Sequence, residues 1–367
     1  MRTSSVFEHG DRVRVLVVDD SVVVRRAITL AIETDPQLEV VGIASSGELA
    51  LQKVDQLNPD VVTLDVEMPG MNGLETLTEL RKRRPSLRIV MVSNLTQGGA
   101  AVTIEALSRG ADDCASKSSG GHSIEESVAL LRDQLCPKLK QFFRFKTKAA
   151  DTPSPTSPSP NLLSPPLSRP LPTADISAIV LGISTGGPTA LAELVPALGK
   201  DLHVPLLIVQ HMPPMFTRLL AERLDSKSSM SVVEAVHGMA VEPGKVYIAP
   251  GDFHMRVCRA SNRVEIALDQ APQENCCRPA VDVLFRSAAE VWGKHSAAVV
   301  MTGMGKDGLA GARSLWAAGA PILAQDEDTS VVWGMPGEIV RAKLADQVLP
   351  LADISGALIA LARGSRL

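Results

Sequence analysis

Residues 13–34 read VRVLVVDDSVVVRRAITLAIET: a valine-rich run, two carboxylates, a serine, then a segment with helical spacing. The run Val13–Val18 suits a buried strand, because β-branched side chains pack well on a pleated surface. Asp19 and Asp20 end that strand, and Ser21 stands where a helix N-cap is needed for the helix predicted over Ser21–Thr34. The same strand–loop–helix unit recurs downstream. Leu38–Ala44, Val61–Leu64, Ile89–Val92 and Asp113–Ala115 read as strands. Gly47–Leu57, Gly73–Arg83, Ala100–Arg109 and Ile124–Phe143 read as helices between and after them. Five such units are expected to give a parallel (βα)5 sheet covered by helices on both faces.

The repeat stops at a change of composition. Between Lys148 and Thr173 come eight prolines, from Pro153 to Pro172, with Ser and Thr filling most gaps. Prolines this dense forbid a helix and leave an extended spacer. The expected boundaries are a tail over 1–12, a first domain over 13–147, the linker over 148–173 and a second domain over 174–367. Two domains also suit 367 residues, at roughly 100–200 residues per domain.

Composition narrows the class. Aromatic side chains make up only 3% of the chain, so cores built from aliphatic residues are expected and base-stacking platforms are not. With 37 basic and 41 acidic side chains, the net charge of −4 argues against a nucleic-acid grip spread over the surface. Residues 1–14 lack an apolar signal-peptide core, and no stretch approaches the ~20 apolar residues of a membrane span. The five cysteines (Cys114, Cys136, Cys258, Cys276 and Cys277) form no C-x-x-C pair. Reduced thiols in a cytoplasmic protein are therefore expected, with neither a disulfide framework nor a zinc site.

Alternation resumes after the linker. Ser177–Gly182, Leu206–Val209, Ala297–Met301 and Ile322–Ala324 read as strands. Thr189–Leu198, Phe216–Leu224, Val281–Val291 and Gly308–Ala318 read as helices. Val246–Ala249, Met255–Cys258 and Val264–Leu268 have hairpin-like spacing, so a second doubly wound α/β domain with an antiparallel insertion is expected.

Chemistry in doubly wound sheets gathers beyond the carboxyl ends of the strands. In the first domain those ends carry Asp19, Asp20, Asp65, Ser93 and Lys117. Clustered carboxylates repel one another unless a hard cation intervenes, and Mg²⁺ takes oxygen ligands octahedrally. With Mg²⁺ and Lys117 neutralising charge, Asp65 could attack a phosphoryl donor while Ser93 hydrogen-bonds the phosphoryl oxygens.

In the second domain, IVLGISTGGPTALAEL (179–194) reads strand, tight turn, helix, with Ser184 at the turn. Gly186 and Gly187 permit a sharp bend, and Pro188 suits a first helical position. Such a turn exposes a hydroxyl and aims backbone N–H groups at a ligand. His211 follows the strand LLIVQ at the same sheet edge and is the leading candidate base. His237 and His254 fall in expected loops and stay open as alternatives. Asp307, in TGMGKDG, could orient His211, or could simply cap its own helix. The amides around Gly303, Met304 and Gly305 could supply oxyanion donors.

These motifs resemble known families. VLVVDDS, LDVEMPGMNG and the late Lys117 make residues 13–143 similar to a two-component receiver domain, which implies a flavodoxin-like fold. The resemblance implies Asp65 as phosphoacceptor, and Asp19, Asp20, Asp65 and the Glu67 carbonyl as Mg²⁺ ligands. Cys114 stands where receivers usually carry an aromatic switch residue, and Ser118 where they usually have proline. Residues 177–360 resemble the catalytic domain of the chemotaxis-type protein-glutamate methylesterase. The matching motifs are ISTGGP, IVQHMP, YIAPGDFHM, RPAVDVLF, TGMGKDG and QDEDTSVVWGMP. That resemblance implies a triad of Ser184, His211 and Asp307, a Met304 oxyanion donor, and a cleft lined by Thr185, His254 and Met304. Cys277 and Ala280 replace a His and a Ser that the family often has around the Arg–Pro pair.

The implied reaction is hydrolysis of glutamyl γ-methyl esters on methylated chemoreceptor cytoplasmic domains, with deamidation of receptor glutamines at the same site. It needs no cofactor; Mg²⁺ serves the receiver, whose phosphodonor is a histidine kinase. Two rivals stand beside it. One is a nucleic-acid-binding output, invited by KLKQFFRFKTK (138–148) but lacking a helix-turn-helix pattern. The other is a scaffold with a non-catalytic esterase-like domain.

Overall fold

The computed structural model describes residues 6–7, 11–94, 96–117, 124–145 and 175–364. The proline-rich linker and Ser118 lie outside the described residues. The first domain runs β1 (Val13–Val18), α1 (Val22–Glu33), β2 (Leu38–Ala44), α2 (Gly47–Leu57), β3 (Val61–Asp65), α3 (Gly73–Arg83), β4 (Arg88–Ser93), α4 (Gln97–Ser108), β5 (Asp113–Ser116) and α5 (Ile124–Lys140). Its five strands are parallel in the order β2-β1-β3-β4-β5. Local chemistry sets the helix starts: Ser21 and Ser46 accept from backbone N–H groups three residues on, and Asn72 with Glu75 forms a reciprocal capping box. Every residue of β3 is buried, as a central parallel strand requires.

The second domain runs β6 (Ala178–Ile183), α6 (Gly187–Leu198), β7 (Leu206–Gln210), α7 (Phe216–Asp225), β8 (Ser231–Glu234), β9 (Lys245–Ile248), β10 (His254–Ala260) and β11 (Arg263–Asp269). It continues with α8 (Val281–Val291), β12 (Ser296–Val300), α9 (Leu309–Ala317), β13 (Ile322–Gln325), α10 (Met335–Arg341), β14 (Gln347–Leu349) and α11 (Leu351–Ala362). Seven parallel strands take the order β8-β9-β7-β6-β12-β13-β14. The order reverses between β6 and β12, which puts the topological switch point at their carboxyl ends.

Two expectations are corrected. Val246–Ala249 is not part of an antiparallel insertion; as β9 it pairs parallel with both β7 and β8, and only β10 and β11 form the hairpin. The edge strands β8 and β14 were not expected, since neither short segment is a continuous apolar run. Their outer positions need no burial on both faces.

The domains meet at the α4–β5–α5 side of the first sheet. Thr189 Oγ1 donates to the Leu107 carbonyl at 2.7 Å. Val332, from the loop before α10, is buried in the same apolar cluster as Leu135, Leu139 and Phe142 of the first domain.

Candidate functional site

Two groups of polar side chains sit at sheet edges, one in each domain. In the first, Asp19 follows β1 and Asp65 ends β3, on either side of the switch point. Lys117 Nζ lies 2.7 Å from Asp19 Oδ2 and 2.7 Å from Asp65 Oδ2. Carboxylate oxygens of Asp19, Asp20 and Asp65 all lie within 4.8 Å of one another. Three carboxylates against one ammonium leave negative charge in a largely buried pocket, and the donors are hard oxygens, so the residues present fit Mg²⁺. Burial pushes the Asp65 carboxyl up to about 6, against the opposing pull of Lys117; the Asp19 charge adds to the rise. Ser93 ends β4, where Thr103 Oγ1 meets its hydroxyl at 2.9 Å, and the Lys117 N–H donates to its carbonyl. The Glu67 N–H donates to Asp65 Oδ1 at 3.3 Å, which fixes the loop that carries the Glu67 carbonyl.

In the second domain, Ser184 follows β6 and His211 follows β7. Their strands are adjacent in register, with Ile183 paired to Gln210. Gly186 takes φ +79°, and a side chain there would also meet Val331. Gly187 serves a different purpose. A Cβ on it would stand 1.8 Å from Gln210 Oε1, so its missing side chain makes room for that amide. Gln210 Nε2 donates to the carbonyls of Ser184 (3.0 Å) and His211 (3.3 Å), tying together the two residues the sequence singled out. Sequence reasoning passed over Gln210; its signal was a polar residue ending an otherwise apolar strand.

His211 Nε2 lies 2.8 Å from Asp307 Oδ2, while Nδ1 has Cys277 Sγ at 3.7 Å. Among the described residues no hydrogen bond joins Ser184 Oγ to His211. Burial opposes charge on the ring, but the Asp307 carboxylate and the Cys277 sulfur outweigh it and push His211 up to about 10.

Asp307 does not cap its own helix, whose N-cap is Gly308. It caps α8 instead. The N-cap residue of α8, Ala280, has no capping oxygen, and the N–H groups of Val281 and Asp282 donate to Asp307 at 2.6 and 3.1 Å. Asn275 Nδ2 and the Gly308 N–H complete its partners at 3.0 Å each. Burial alone would raise its carboxyl, yet His211 and these N–H donors hold it below the ordinary carboxylate range. Asn275 is a second residue that sequence reasoning missed. It sits at φ +51° and also reaches Asp282, so only the folded loop shows its role.

The remaining candidates divide. The Gly303 N–H donates to the Val332 carbonyl at 2.9 Å, which takes it out of the expected set of oxyanion donors. The Met304 N–H has no partner among the described residues, and the Met304 side chain is exposed. Thr185 is buried: its hydroxyl lies 3.0 Å from Asp113 Oδ2 and 2.8 Å from Gln141 Oε1, both in the first domain. His254 is corrected. It begins β10, is wholly buried, and both ring nitrogens are used by backbone, Nε2 with the Pro272 carbonyl and Nδ1 with the Ala280 N–H. It anchors the 272–280 loop rather than presenting its ring to the cleft. His237, the other open alternative, accepts from the Leu268 N–H at 3.1 Å and is away from Ser184's strand end.

Two family models match the chain. The receiver domain of response regulators matches residues 15–129, and the CheB methylesterase matches residues 179–358. A protein-glutamate methylesterase/protein-glutamine glutaminase of Trichodesmium erythraeum (strain IMS101) is 44% identical over 94% of this chain and 98% of its own length. One of the same name from Thermotoga maritima is 42% identical over 96% of this chain and 99% of its own. Among solved structures, the catalytic domain of the Thermotoga maritima CheB methylesterase matches with a TM-score of 0.50 at 45% identity. That match covers 51% of this chain and 100% of the solved one.

Proposed function

The chain belongs to the receiver-linked protein-glutamate methylesterase/protein-glutamine glutaminase family, and on that premise we propose that Ser184, His211 and Asp307 carry its hydrolysis. The substrates are glutamyl γ-methyl esters and glutamine amides on the cytoplasmic domains of chemoreceptors. The single observation that carries the residue assignment is the His211 Nε2–Asp307 Oδ2 contact at 2.8 Å, beside the strand that Ser184 follows.

Asp307 holds Nε2, so Nδ1 is the nitrogen that takes the proton. Ser184 Oγ attacks the ester carbonyl as the neutral form of the His211 ring, which becomes the major form only above about pH 10, accepts its proton at Nδ1, and the Met304 N–H stabilises the oxyanion. Collapse expels methanol, which leaves with the proton from Nδ1, and an acyl-serine remains. Water then attacks that ester, again giving its proton to Nδ1, and glutamate and free Ser184 result. A glutamine substrate follows the same course with ammonia leaving. Throughout, Asp307 stabilises the imidazolium, and the α8 N–H groups keep Asp307 ionised.

The receiver controls access. Asp65 is the phosphoacceptor and a histidine kinase supplies the phosphoryl group; Asp19, Asp20, Asp65 and the Glu67 carbonyl would hold Mg²⁺, which would supply charge neutralisation for the phosphoryl group. Lys117 and Ser93 then bind phosphoryl oxygens. Unphosphorylated, the receiver covers the cleft through Thr185, and phosphorylation favours the open state. Among the described residues no helix is long and apolar enough to cross a membrane, and we assign the protein to the cytoplasm, where receptors present their methylated helices.

The test is methanol release from methylated receptor membranes, with and without acetyl phosphate. Wild type is expected to respond, Asp65→Asn to stay at the basal rate, and Ser184→Ala to fall to background while remaining folded. Hydrolysis that survives in Ser184→Ala would overturn the assignment of the nucleophile, whereas wild type that releases no methanol would favour a scaffold.

A further inference from the structure

Cys277 and His211 are 66 residues apart in sequence, and no spacing rule connects them. In the fold, Sγ of Cys277 lies 3.7 Å from His211 Nδ1, and Asp307 holds the other ring nitrogen. A tetrahedral zinc ion with bonds of about 2.3 Å to sulfur and 2.0 Å to nitrogen sets its two ligands about 3.5 Å apart. The observed pair already stands close to that separation. Metal-binding histidines also characteristically give their second N–H to a carboxylate, which fixes the ring and raises its basicity. Asp307 does this for His211, and ligand atoms of all three residues lie within 4.8 Å of one another.

We propose that Cys277 Sγ and His211 Nδ1 form an inhibitory site for a thiophilic divalent cation of the zinc class, with Asp307 as the outer carboxylate. The sulfur donor selects such ions over Mg²⁺, so the cation that serves the receiver does not compete. Two protein ligands leave two positions to water, which makes a reversible site rather than a structural one. Binding requires the thiolate and an Nδ1 free of its proton, so it weakens as the pH falls. It also occupies the nitrogen that must accept the Ser184 proton, so the inhibitory consequence rests on the proposed role of His211.

Cobalt(II) is the direct probe, added to the full-length protein. Wild type and Cys276→Ala are expected to bind one equivalent with thiolate-to-cobalt absorption in the near ultraviolet. Cys277→Ser, which keeps the size of the side chain, is expected to lose that absorption. Zinc(II) should inhibit methanol release by wild type at a concentration about tenfold below that needed for Cys277→Ser, each compared with its own metal-free rate. Unchanged absorption in Cys277→Ser, or equal zinc sensitivity, overturns the proposal, as does cobalt binding at Cys277 without inhibition. If metal-free wild type releases no methanol, the hydrolase reading fails instead, and the cobalt absorption still decides the metal site.

Discussion

Thr185 Oγ1 lies 3.0 Å from Asp113 Oδ2, so the residue after Ser184 is hydrogen-bonded to the first residue of the strand that leads to Lys117. Gln141 joins the same pair, its Nε2 donating to Asp113 Oδ2 at 2.8 Å. The contact spans the domain boundary with one hydroxyl proton, which serves one acceptor at a time. Removing both acceptors, in Asp113→Ala/Gln141→Ala, is therefore expected to raise unphosphorylated methanol release by about fivefold, the value of one hydrogen bond near 1 kcal/mol. Release stimulated by acetyl phosphate should change little, so the ratio between the two states narrows. A basal rate equal to wild type would show that this contact does not hold the domains together.

Gly187→Ala tests the tie between Ser184 and His211. The added Cβ, 1.8 Å from Gln210 Oε1, forces the amide off the carbonyls it bridges. A displacement of that kind at a reacting geometry costs on the order of 100-fold in kcat. Gln210→Ala should reproduce much of the loss without the clash. Steady-state kinetics beside thermal melts separates misplacement from unfolding, since the kcat loss should appear in protein that is still folded.

Asp307→Asn keeps the shape and removes the charge. Hydrolysis is expected to fall by about 10⁴-fold, as for a triad left with a neutral orienting group. Asp307 is among the groups that push the His211 ring up to about 10, so the ring is expected to titrate closer to its ordinary 6.5 in the variant, as followed by NMR. A histidine with a raised folded pKa contributes its full stability below 6.5 and loses it as pH climbs through about 10. Wild type and variant should thus differ most in denaturant midpoint just below pH 6.5, with the difference shrinking as the pH rises and vanishing above pH 10. A His211 midpoint unchanged by Asp307→Asn would contradict the pairing.

Asp65 must be ionised to attack a phosphoryl donor. With its carboxyl pushed up to about 6, initial labelling by acetyl phosphate should fall about tenfold per pH unit below that value. Raising Mg²⁺ should move the midpoint to lower pH, because a bound cation favours the carboxylate. Labelling that stays flat from pH 7 to 5 at low Mg²⁺ would be inconsistent with the buried, charge-crowded site.

The strand ends were legible because parallel strands announce themselves as apolar runs, and the residue that breaks each run lands at one sheet edge. That logic singled out Ser184, His211, Asp307, Asp65 and Lys117 as candidates. It could not reach Gln210 or Asn275, whose roles depend on where an amide points after folding. His254 misled for a related reason: a histidine beside a cleft motif looks like a lining residue until its two nitrogens are seen bound to backbone. Val246–Ala249 was misassigned because four apolar residues followed by a hairpin have the same local pattern whether they belong to the hairpin or to the sheet. The edge strands β8 and β14 lack the continuous run altogether.

The loop before α10 ties inheritance of control to inheritance of rate. Val332 is buried with the receiver's Leu135, Leu139 and Phe142, Val331 backs the turn at Gly186, and Trp333 bridges to Gly303. A recombinant joining this receiver to a relative's catalytic domain would have to match that loop on both sides at once. A substitution that shifts Val332 against the first domain therefore also bears on the bend behind Ser184, one residue of loop away.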